Sequence, residues 1–208
     1  MDDLLRMLEG NDDERWLALY KMLNVDFNLI KSHIPKIIEI LREKKLVRRI
    51  AFDLLLKISE EKPEILLDYV ENLKKLIGTK YESVYASLIL SNLALRYPDV
   101  IDDETIERIV GMLEHKGLKE HALSSLSKIC LVKPEALADH IPRLIDLIMD
   151  KEFEVRWNSA KVLLNILSKK PELVIDYVED IRKIAENVNL KPSIRVVAYV
   201  ILNELNKK

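Results

Sequence analysis

Apolar side chains recur along this chain at intervals of three and four residues. Val47, Ile50, Ala51, Leu54, Leu55 and Ile58 form one such stripe. Val155, Ser159, Val162, Leu163 and Ile166 take matching places further on, and Ile194, Val197, Ala198, Ile201, Leu202 and Leu205 do so again. This spacing lines one face of an α-helix. The stripes belong to a longer period. Segments starting at Ile34, Val70, Ile106, Ile141 and Val178 align at steps of 36, 36, 35 and 37 residues. Pro63, Pro98, Pro134 and Pro171 punctuate the chain at steps of 35, 36 and 37. Each proline ends one helix and opens the next, where its missing N–H costs nothing. Glu64, Asp99, Glu135 and Glu172 follow the prolines and suit a positive helix start; Lys62, Lys133 and Lys170 precede three of them and suit a negative helix end.

The pattern predicts about six helix pairs. First helices, called A, cover about 2–9, 34–44, 64–77, 103–115, 135–150 and 172–187. Second helices, called B, cover about 12–24, 46–61, 81–96, 118–131, 153–169 and 193–206. One such pair cannot bury its apolar face alone, so stacked pairs forming an all-α solenoid are expected, as one continuous domain over 1–208. A small residue recurs in each B stripe, at Ala18, Ala51, Ala86, Ala122, Ser159 and Ala198, and lets neighbouring helices approach closely. Three residues before it stand Arg15, Arg48, Ser83, Lys119, Arg156 and Arg195.

The segment from Leu147 to Ala160, with Asp150 in the turn and Val155-Arg156 opening the helix, resembles the turn and second helix of a HEAT repeat. Leu46 to Ala51 and Pro192 to Ala198 look similar, and Pro35 and Pro142 resemble the proline kink of HEAT first helices. The resemblance covers nearly the whole chain and is weakest in the third and fourth pairs, where the arginine is missing. It implies a right-handed superhelix of the armadillo-like kind, with B helices on the concave wall. It also implies a structural ladder between adjacent repeats, carried by Arg15, Arg48, Asp150, Arg156 and Arg195. The alternative is a row of guanidiniums facing phosphates or an acidic peptide. The superfamily hosts scaffolds, adaptors and a few enzymes, so the resemblance is nearly silent on activity.

Composition narrows the classes. The net charge of −2 gives no global field for a polyanion. Charged residues at 33% and the absence of Gln lean towards a thermophile. The one cysteine, Cys130, excludes an internal disulfide framework and reads as a small buried hydrophobe. The acidic start, Met1-Asp2-Asp3, is unlike a secretory signal, and no apolar run approaches a membrane span; a soluble, cytoplasmic protein is expected.

No phosphate loop, nucleophile elbow or dinucleotide motif is present, so no enzyme and no cofactor is expected. Trp16 and Trp157 occupy one repeat-equivalent position, filled elsewhere by Arg49, Val84, Glu120 and Val196. With Phe52 and Tyr199 they are expected to line an exposed strip of the B layer. Trp16, Arg49, Phe52, Trp157 and Tyr199 are thus the candidate anchors for a protein or peptide; packing between B helices is the competing reading.

Arg42, Lys44, Lys45, Arg48 and Arg49 form a basic patch that either grips phosphates or is a solvated turn. Asp99, Asp102, Asp103, Glu104 and Glu107 are its acidic counterpart, at a helix start. Trp157, Arg156 and Asp150 supply the residue types of a HEAT-like alkylpurine DNA glycosylase, which makes nucleic-acid binding the alternative function. His33, Tyr69, His140 and Tyr177 are equivalent and read as a wedge or cap beside helix A. Glu114-His115 and Glu120-His121 resemble the metal-binding pairs of a HEAT-like hydroxylase, but in one turn region only, so no metal is expected. The last helix is apolar on nearly every side, and a homodimer through Val196 and Val200 is a further expectation.

Overall fold

The B stripes fold as helices close to their expected bounds. They are α2 (Asp12–Met22), α4 (Lys45–Glu61), α6 (Glu82–Ala94), α8 (Lys119–Ile129), α10 (Phe153–Lys169) and α13 (Pro192–Leu205). The structure is a computed structural model and describes residues 2–43, 45–78 and 80–207. Among these residues the chain is all α, with no strand. The start of α2 shows the local logic. The Asn11 side chain accepts from the backbone N–H groups of Asp13 and Glu14, and Glu14 reaches back to the Asn11 N–H at 2.9 Å. This reciprocal cap satisfies donors that the first turn would leave unpaired.

The first, second and fourth A stretches form single helices within their expected bounds, whereas the third, fifth and sixth are interrupted. α1 is Asp2–Met7. In the second pair a 3-10 turn, Phe27–His33, precedes α3 (Ile34–Ile40), and in the third Pro63–Tyr69 precedes α5 (Val70–Lys74). The fourth has α7 (Asp103–Gly111), and in the fifth Pro134–His140 precedes α9 (Ile141–Leu147). The sixth is split into α11 (Glu172–Ile175) and α12 (Val178–Glu186). The break falls at His33, Tyr69, His140 and Tyr177, with φ from −117° to −99° and ψ from −3° to 10°. Those angles lie near the bridge region rather than in the helical well. Pro35 shows one cause. Its absent N–H leaves the Lys31 carbonyl free for other donors, and that oxygen accepts from the Ile34 N–H and, at 2.9 Å, from the Tyr69 hydroxyl of the next pair. Tyr69 is followed by Val70-Glu71 without a proline and breaks all the same, so proline is not required for the bend.

Contacts divide the chain into two units, Met1–Ile101 and Asp102–Lys208. In the first, α4 packs between α2 and α6, and α1, α3 and α5 cover the other side of the B helix in their own pair. In the second, α10 packs between α8 and α13, with α7, α9 and α12 each on its own B helix. Each core lies between its A and B layers. Leu54, Leu55 and Ile58 are fully enclosed in the first, and Val162, Leu163 and Ile166 in the second. All six small residues of the B stripes are completely buried, which is why nothing larger stands there. Ser159 also uses its hydroxyl, donating to the Leu144 carbonyl at 2.6 Å.

Candidate functional site on the B-helix face

The ladder residues join adjacent pairs, with a partner choice unlike the expected one. Arg15 pairs with Glu43 of the next pair at 2.5 Å, and Lys119 with Asp150 of the next at 2.8 Å. Arg156 does not bond the Asp150 carboxylate. Its guanidinium donates to the backbone carbonyls of Asp150 and Lys151 at 2.8 and 3.1 Å and to the Ser193 hydroxyl of the next pair at 3.2 Å. The Asp150 carboxylate is taken by Lys119 and by the Glu152 N–H at 2.9 Å. Burial raises its pKa, but the Glu152 N–H, the Lys119 ammonium and the nearby Lys151 charge together outweigh burial and lower it from the ordinary carboxylate value. Arg195 donates to the Ala185 carbonyl at 3.0 Å. Arg48 lies 5.7 Å from the ring centres of Tyr81 and Tyr85, a cation–π arrangement. These guanidiniums are engaged between helices and do not form a row facing outward.

A second ladder was not read from the sequence. Lys57 donates to the Leu23 carbonyl at 2.7 Å, Asn92 to the Ser59 hydroxyl at 3.2 Å, and Asn165 to the Ser127 carbonyl at 2.7 Å. Each donor stands six residues after the small residue and reaches the preceding B helix. The signal was present, because Asn24, Lys57, Asn92, Lys128, Asn165 and Glu204 all hold that position and all are polar. The hinge position works in the same way. Besides the Tyr69 bond, His140 Nε2 lies 2.6 Å from the Glu107 carboxylate of the preceding pair.

What remains for a ligand is the side of each B helix turned away from its A helix. Two positions, two before and two after the small residue, lie one helical turn apart there. In the first unit they hold Trp16 and Tyr20, whose rings stack at 5.2 Å, Arg49 and Asp53, which form an ion pair at 3.2 Å, and on α6 Val84, which is buried, and Leu88. In the second they hold Glu120 and Ser124 on α8, Trp157 and Lys161 on α10, and Val196 and Val200 on α13. Trp157 is 45% exposed and Val196 57%. Trp157, Ala160, Lys161 and Leu164 line a cavity of about 320 Å³. Leu164, Leu167, Ser168, Val200 and Glu204 line a second of about 300 Å³ beside it. Phe153, half exposed one turn before Trp157, lies 5.5 Å from the Arg156 guanidinium. Along α10 and α13 the second unit therefore carries an apolar strip bordered by Lys161 and Glu204, while the exposed Glu120 holds the matching position on α8.

Phe52 is not the exposed anchor expected of it. Phe52 is only 9% exposed, because its ring packs on Tyr85 of the next pair at 4.6 Å. Tyr199 is exposed, but it occupies the same repeat position as Phe52, which faces the following pair and not the open strip. The basic patch is also dispersed. Arg42 is exposed, Arg48 is half-buried on its tyrosines and Arg49 is paired; Lys44 lies outside the described residues, as does the side chain of Lys45.

Other chemistry is absent from the strip. A depression of about 540 Å³ lined by Asp103, Glu107, Glu135 and Asp139 lies against the A-side turns, and two of its carboxylates are held by His140 and Lys170. Among the described residues no three His, Cys, Asp or Glu side chains gather as a metal site. Burial pushes the Cys130 thiol up to about 12, far from the reactive thiolate form. No described helix is long and apolar enough to cross a membrane.

No family model matches this chain, and no curated protein matches it. Among solved structures, the crystal structure of an engineered protein from the Northeast Structural Genomics Consortium superposes with a TM-score of 0.68. The match covers 100% of this chain and 98% of that one at 20% sequence identity. The likeness is therefore one of fold, shared along the full length of both helical chains.

Proposed function

We propose that the chain is a HEAT-like, right-handed superhelical scaffold without catalytic activity, and that it holds a helical segment of a partner protein on its B-helix face. The observation that carries this reading is the strip on α10 and α13, where Trp157 stands half exposed above an apolar cavity of about 320 Å³. A large aromatic left open beside a cavity is the arrangement that anchors partner helices. The borders favour protein over duplex nucleic acid. Lys161 lies at one side of the strip and Glu204 at the other, and a face of mixed charge does not attract a phosphate backbone. The charged, glutamine-free composition supports a cytoplasmic protein of a thermophile as part of the same reading.

A displayed library of amphipathic helical peptides, selected against the purified protein, tests the proposal. Enriched peptides are expected to share an apolar ridge at helical spacing and to lose about tenfold or more in affinity on Trp157→Ala. Failure to enrich any helix, together with a salt-sensitive shift of duplex DNA, would overturn it in favour of a nucleic-acid binder.

A further inference from the structure

We propose that the two ends of this chain are complementary, so that the last helix pair of one copy receives the first pair of a second copy, head to tail. The inference is independent of the Trp157 strip and comes from comparing equivalent positions. The residue after the small one is Leu19, Phe52, Ser87, Leu123 and Ala160 in the first five pairs, none more than 9% exposed. In the sixth it is Tyr199, 47% exposed. Phe52 shows where that position points, since its ring packs at a tilt against Tyr85, the residue just before the small one in the next pair. The matching residue of the first pair is Leu17, which at 38% exposed is also uncovered.

Two polar devices repeat the match. Arg156 reaches Ser193, which stands five residues before the small residue of its pair. The same step from Arg195 leads to Asp13 of the first pair, an exposed carboxylate where the internal contact has only a hydroxyl. The second ladder would run from Asn24, exposed on the first pair, to the carbonyl of Asn203 on the last, as it runs from Asn165 to Ser127. Overall charge agrees. The first pair, residues 2–24, holds six carboxylates against three cations; the last pair, residues 172–208, holds six of each, with its cations gathered on the B side, where Lys191 to Lys208 carry four against Glu204. An acidic first pair and a cationic last B helix favour a heterologous contact and oppose a symmetric one between two last helices. Lys21 stands where Leu54, Ile89 and Val162 are fully enclosed, which keeps the front face polar and the contact reversible.

Sedimentation velocity from about 10 μM to about 1 mM tests this. The wild-type chain is expected to sediment faster as concentration rises, and less so in high salt. Tyr199→Glu and Asp13→Arg, both exposed and checked for folding by circular dichroism, should each stay near the 24.2 kDa monomer. Mixed together they should form a 1:1 dimer, because each supplies the end that the other lacks. A wild-type chain that stays monomeric throughout overturns the proposal. So does an Asp13→Arg chain that assembles as well as wild type, the mark of a symmetric contact.

Discussion

Phe52 and Trp157 are both aromatic B-helix residues, and their surroundings assign them opposite work. Phe52 is enclosed against Tyr85, so Phe52→Ala is expected to cost about 3–5 kcal/mol through lost burial and the cavity left behind. Trp157 is already half in solvent, so Trp157→Ala should cost only about 1–2 kcal/mol while removing partner binding. Urea melts of both variants measure this, and equal losses would contradict the distinction. Residue type was legible in the sequence but direction was not, because one step along a helix turns a side chain by more than a quarter of a circle.

Asp150 adds a pH dependence at the same scale. Its folded pKa is depressed below the ordinary carboxylate value against the opposing effect of burial, so the unfolded chain binds the proton more readily in that range. The stabilisation it gives is present above about pH 4 and is lost as pH falls through the folded value. The stability gap between wild type and Asp150→Asn should therefore shrink between about pH 7 and about pH 3. A constant gap would mean that the carboxylate's charge contributes nothing.

The helices themselves divide into those that periodicity reads well and those it does not. B helices carry a continuous stripe backed by a small residue, and α10 begins and ends where the stripe does. A stretches carry the same apolar spacing, yet they bend at His33, Tyr69, His140 and Tyr177. A bend of one residue barely disturbs an apolar stripe, so periodicity runs through it unmarked. The repeat alignment had isolated the position, and its work as a cap between pairs emerged only from the Tyr69 and His140 bonds. Tyr69→Phe removes one hydroxyl from the Lys31 carbonyl and is expected to cost about 0.5–1.5 kcal/mol. An unchanged melt would show that water replaces the bond.

Across the whole molecule the 36-residue period specified how many pairs form, and a division at Ile101 left no mark in it. Each unit holds three pairs and its own B-helix face. In the first unit that face carries the Trp16–Tyr20 stack and the Arg49–Asp53 pair; in the second, α10 and α13 present an open apolar strip with cavities. Repeat symmetry builds the scaffold, and departures from it supply the site. The two tryptophans make a direct readout, since each lies on the face of a different unit. The decisive measurement follows their indole N–H resonances while a selected amphipathic helical peptide is titrated into the protein. The account predicts a saturable shift of the Trp157 signal with the Trp16 signal unmoved. A peptide that binds without shifting Trp157, or a Trp157 shift produced by duplex DNA instead, would contradict it.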